Sequence, residues 1–75
     1  MNQDIRTVIN EIGKQGGTGN IMEALGYTSE NFQKGFDLAN DMQNQDLVKL
    51  IYSNFNQNKI VVEFTLLAKA AFENP

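Results

Sequence analysis

The feature that most restricts the fold of this chain is its last apolar run, Ile60 to Phe72. At about 100° per residue, Ile60, Val61, Phe64, Leu67, Ala68, Ala71 and Phe72 share one face. That spacing is the broad buried stripe of an amphipathic helix. Lys59 to Phe64 is also rich in the β-branched residues that suit a strand. A lone strand is not stable, and no second strand-like run stands out to pair with it, so the helical reading is preferred. Burying these side chains yields roughly 10–20 kcal/mol gross at ~1.5–3 kcal/mol each, about what ordering the segment costs. The helix therefore cannot stand alone and the rest of the chain must wrap it. The expectation is an all-α fold: a compact bundle of four or five short helices in a single domain, residues 1–75, with the C-terminal helix (about 59–73) central.

Composition narrows the chemistry. A chain of 75 residues builds one small core. It has no Cys and no His, which removes disulfides, thiolate nucleophiles, the usual zinc ligands and the commonest general base. Paired side chains such as Lys59 and Glu63, or Lys69 and Glu73, read as surface helix pairs at i, i+4 rather than as acid and base. The expectation is a protein that is not an enzyme and uses no cofactor or metal. No run of ~20 apolar residues is present to span a membrane, and a cytoplasmic location follows as the default. The net charge is −3, and the six basic residues, Arg6, Lys14, Lys34, Lys49, Lys59 and Lys69, are scattered one per segment. That balance disfavours a nucleic-acid footprint without excluding one.

Taken in order, residues 2–13 read as a first helix, with Ile5, Val8, Ile9 and Ile12 inward, Asn2 as N-cap and Asp4 in the first turn. Residues 13–20 are the only glycine-rich stretch; they lack the order of a phosphate-binding loop and read as a connection ending in Thr18 as a cap. A small-molecule binder using the Gly16–Asn20 loop is one alternative reading of the chain. Residues 19–25 form a second helix closed by Gly26, and Thr28 or Ser29 caps a third. Gly35 sits in mid-helix, where it costs ~1 kcal/mol against Ala, and implies the close crossing of another helix. Asn44 or Asp46 starts a fourth helix carrying Leu47, Val48, Leu50, Ile51 and Phe55. Asn54, Asn56 and Asn58 interrupt it and offer a left-handed stop.

One motif carries a functional implication. Leu25-Gly26-x-Thr28-x-x-x-Phe32 resembles the centre of bacterial helix-turn-helix domains, in which Leu-Gly ends one helix, a hydroxyl residue caps the next and an apolar residue locks the pair. The resemblance covers about sixteen residues. It implies that helices about 19–25 and 29–42 form the motif and that Ser29, Asn31, Gln33 and Lys34, with Glu30 among them, face the bases, where Asn and Gln suit adenine. The charge opposes this, since Glu30, Asp37 and Asp41 face a single Lys34. The preferred expectation is a non-catalytic protein-protein interaction module, an adaptor, inhibitor or assembly subunit whose partner is another protein. The helix-turn-helix regulator is the alternative. On the back of the last helix, Val62, Leu66 and Ala70 recur at i, i+4, i+8. This outward stripe predicts a second contact, most simply with another copy of the chain.

Overall fold

A computed structural model describes residues 2–75. The chain runs α1 (Gln3–Lys14), β1 (Thr18–Asn20), α2 (Ile21–Leu25), a 3-10 turn (Ser29–Asn31), α3 (Phe32–Asn44), β2 (Val48–Asn54), β3 (Lys59–Phe64) and α4 (Leu66–Glu73). The all-α bundle is thereby overturned: helices pack against a three-stranded antiparallel sheet of order β1-β3-β2. Nor is there a central helix over 59–73, because that stretch is a strand followed by a separate short helix.

The switch from strand to helix falls at Thr65. Its Oγ1 accepts from the Ala68 backbone N–H at 3.3 Å, an N-cap that starts α4. The same hydroxyl lies 2.6 Å from the carbonyl of Asp46, and the Thr65 N–H donates to Leu47 O. The partner strand missing from the sequence reading is Val48–Asn54, which lies within the segment read as a fourth helix. It pairs with β3 from Val48↔Phe64 to Asn54↔Lys59, with an irregularity between Leu50 and Tyr52. That bulge places Ile51 outside the ladder and breaks the strict alternation that marks a strand. Asp46 and Asn58, both at positive φ (60° and 53°), turn the chain at the start of β2 and between β2 and β3. Asn is among the few side chains that tolerate this region. The left-handed stop expected in the Asn cluster is therefore present, but it closes a hairpin rather than a helix.

The N-terminal half follows its local signals. Asn2 accepts from Ile5 N–H at 2.7 Å, and Ile5, Val8, Ile9 and Ile12 are buried. Thr18 is not a cap: residues 18–20 pair with Val61–Glu63 as β1, and Asn20 caps α2 instead. These α1 residues meet Ile21 and Met22 of α2, Ala39 and Met42 of α3, Leu47, Val48, Ile60, Val62 and Ala68 in one core. Among the described residues no polar or charged residue is buried, and no helix is long and apolar enough to cross a membrane.

Gly35 is buried where α3 crosses α2, and a Cβ there would run into the Met22 sulfur. Met22 is itself fully buried in the core, so its thioether can yield only by displacing core neighbours. Gly35→Ala is therefore expected to cost up to about 2 kcal/mol, since overpacking of ~1–3 kcal/mol is only partly offset by the ~1 kcal/mol gain in helix propensity. Urea denaturation measures the difference; a stabilised variant would show that the two helices do not meet there.

Candidate nucleic-acid interface

The α2–α3 pair is built by the Leu25-Gly26 turn. Gly26 adopts φ 69°, its N–H donates to Glu23 O, and the Tyr27 N–H donates to Met22 O. This is the double closure of a Schellman stop, which needs a left-handed residue. The chain then extends through Thr28, which makes no side-chain capping bond, into the 3-10 turn and α3. Leu25 and Phe32 pack against the core from either side of the turn.

Four side chains assigned to base reading come together at the start of α3. Ser29 and Asn31 are exposed on the 3-10 turn, and Gln33 and Lys34 are exposed on the first turn of α3. Two of them are held by neighbours: Gln33 Nε2 donates to Asp37 Oδ1 at 2.9 Å, and Lys34 Nζ lies 5.4 Å from the centroid of the Tyr27 ring. At 100° per residue the open face of α3 runs Gln33, Lys34, Asp37, Asn40, Asp41 and Asn44. Three of these six are amides, with two carboxylates near the centre of the face. Thirteen residues give α3 a length of about 20 Å at ~1.5 Å per residue, and like any α-helix it is ~10–12 Å across, which a major groove ~12 Å wide admits.

The sequence reading missed the second half of this surface, the β2–β3 hairpin. Its loop, Phe55 to Asn58, folds back onto the helix pair. The Phe55 ring meets Phe32 edge-on with centroids 5.3 Å apart, and Phe32 stacks with Phe36. Asn58 Nδ2 donates to Tyr27 O in the α2–α3 turn at 2.9 Å. Asn20 ties the same hairpin to α2: its Oδ1 accepts from Met22 N–H (3.1 Å) and Ile60 N–H (2.9 Å), and its Nδ2 donates to Asn58 O (3.3 Å). Hairpin and helix pair are thus one rigid surface. The available signal was the Asn54-x-Asn56-x-Asn58 cluster, which marks a turn as well as a cap.

The three residues assigned to a protein contact are not brought together. Val62 is fully buried in β3, which corrects its placement on an outer stripe; a period of two, not 3.6, governs it. Leu66 is 85% exposed and Ala70 is exposed on α4. Lys59 and Glu63 are likewise not a helix pair, since they lie on β3. The Gly16–Asn20 loop is largely consumed by β1, and the Phe64 N–H donates to Gly17 O. No His, Cys, Asp and Glu cluster fit to hold a metal ion occurs among the described residues. No protein family, curated protein or solved structure matches the chain.

Proposed function

We propose that the chain is a helix-turn-helix module with a β-hairpin wing, and that it binds duplex nucleic acid through α3 and that hairpin. The observation that supports this reading is the docking of the hairpin onto the α2–α3 turn through Asn58, Asn20 and Phe55. It presents a helix of groove dimensions and a flanking hairpin as one surface. Fold likeness alone would be analogy; the amide-rich face of α3 adds side chains that pair with base edges. In this arrangement α3 enters the major groove, and Ser29, Asn31 and Gln33 lead at its N-terminal end. The hairpin tip, with Asn56 and Gln57, lies against the backbone.

The charge sets the strength. Lys34, Lys49 and Lys59 are the cations on α3 and the hairpin, and Lys49 is paired in register with Glu63. Neutralising at most three phosphates per copy gives a slope of log K against log salt no steeper than about −3, at ~0.9 per phosphate. Binding should therefore be weak and only mildly salt-dependent. Fluorescence anisotropy on duplex pools, read from ~20 to ~200 mM salt, measures it. Asp41→Asn should tighten binding several-fold on every sequence by removing like charge, and Gln33→Ala should flatten sequence preference. Absence of binding at the lowest salt would refute the proposal.

A protein-docking reading has its own support. Ile51, Tyr52 and Phe55 on the hairpin are 49%, 42% and 59% exposed, and the open face of α3 carries Asp37 and Asp41. An apolar and acidic surface of this kind fits a basic protein partner. Failure of the DNA titration would leave this reading in its place.

A further inference from the structure

We infer that Asp37 fixes the orientation of the Gln33 amide, so that Gln33 selects adenine over guanine in the major groove. The inference rests on the reading of α3 as the helix that enters the groove. Gln33 and Asp37 stand one turn apart on the open face of α3, at the i, i+4 spacing that brings side chains together. Gln33 Nε2 donates to Asp37 Oδ1 at 2.9 Å. An ionised carboxylate only accepts, whereas an amide has an accepting oxygen and a nitrogen with two donor hydrogens. Turning the Gln33 amide over would set its Oε1 against Oδ1, two acceptors facing each other. Asp37 therefore holds one orientation of the amide. Oε1 and the second Nε2 hydrogen stay free.

That free pair is one acceptor beside one donor. Adenine presents its complement in the major groove, a donor at N6 and an acceptor at N7, while guanine presents two acceptors, O6 and N7. With the amide held, Oε1 would meet guanine O6 acceptor to acceptor; an unrestrained amide could turn and donate. The backbone beneath Gln33 is already fixed. The Phe32 ring stacks with Phe36 and meets Phe55 edge-on, and Gly35 is buried against Met22. What remains to be ordered is the Gln33 side chain, and the Asp37 bond orders it before binding. This gives a purpose to a carboxylate that otherwise only repels phosphate. The salt bridge among the described residues joins Lys14 and Glu11, so Asp37 is engaged with an amide and not with a cation. Asp41 carries the same charge one turn further from Gln33 and serves as the matched control.

Two measurements on the intact chain test this. The first is fluorescence anisotropy at ~20 mM salt, on duplexes that differ in A·T or G·C at the position where Gln33→Ala flattens preference. Asp37→Ala and Asp41→Ala each remove one negative charge, and on the G·C duplex each should tighten binding several-fold. On the A·T duplex only Asp41→Ala should, because Asp37→Ala also frees the amide. The adenine preference should therefore fall from about tenfold to about twofold in Asp37→Ala and stay at its parental value in Asp41→Ala. The second is side-chain amide relaxation by NMR on the free protein. The Gln33 amide should be as rigid as the α3 backbone in the parent and in Asp41→Ala, and mobile in Asp37→Ala. Absence of binding on any duplex would remove the nucleic-acid reading and this inference with it. An adenine preference equal in the two Asp variants, a preference that Gln33→Ala leaves intact, or a Gln33 amide already mobile in the parent overturns the inference alone.

Discussion

Val62→Asp is expected to unfold the domain at room temperature. Val62 is fully buried in β3, paired with Leu50 on one side and Gly19 on the other. No cation or donor is placed to meet a carboxylate among the apolar residues of that core. Burying an unpaired charge costs several kcal/mol, against a total stability of about 5–15 kcal/mol for a domain and the low end of that range for one this small. The substitution also separates the two readings of the C-terminal run. On the outer stripe of a helix, Asp at this position would shift stability by no more than ~0.5 kcal/mol. Leu66→Asp is the matched control, because Leu66 is open and its variant should keep the parental spectrum. A Val62→Asp variant that melts within a few degrees of the parent would show that β3 is not a buried central strand.

Asn20→Ala is expected to cost about 2–4 kcal/mol. The N-cap bond to Met22 N–H contributes ~0.5–2 kcal/mol, and the Ile60 N–H left without its acceptor adds ~1–3 kcal/mol. The lost bond to Asn58 O loosens the hairpin as well. Asn20→Asp should recover most of the loss, since it keeps both acceptor contacts and gives up only the Nδ2 donor. Urea denaturation gives the magnitudes, and hydrogen exchange at the Ile60 amide locates them. If Asn20→Ala costs less than ~1 kcal/mol, Asn20 does not join α2 to β3.

The helices of the N-terminal half were legible because caps and a 3.6-residue period agree there. Asn2, Gly26 and the Ile5–Ile12 stripe each make the local contact that their residue types favour. Gly35 was legible for the same reason: glycine in mid-helix signals a close approach, and Met22 supplies it. The C-terminal half was not legible. Leu47, Val48, Leu50 and Ile51 fit one helical face as well as a half-buried strand, and the bulge at Ile51 removes the alternation that would have decided. The run from Ile60 to Phe72 is continuous in hydrophobicity yet crosses from strand to helix at Thr65, whose cap is visible only once Ala68 is placed. Tertiary pairing overrode periodicity in both segments. For the candidate interface, Leu25-Gly26 located the start of α3. The hairpin half depends on contacts between residues more than thirty positions apart, such as Asn58 with Tyr27, which no local pattern records.

The most direct test of a surface shared by α3 and the hairpin is amide chemical-shift mapping during titration with duplex DNA at low salt. The account predicts shifts concentrated in Ser29–Lys34, along the open face of α3 and in Asn54–Lys59, with α4 unmoved. Shifts centred elsewhere, or none with duplex at ~1 mM, where even a Kd near 10⁻⁴ M would give a largely bound protein, would contradict it.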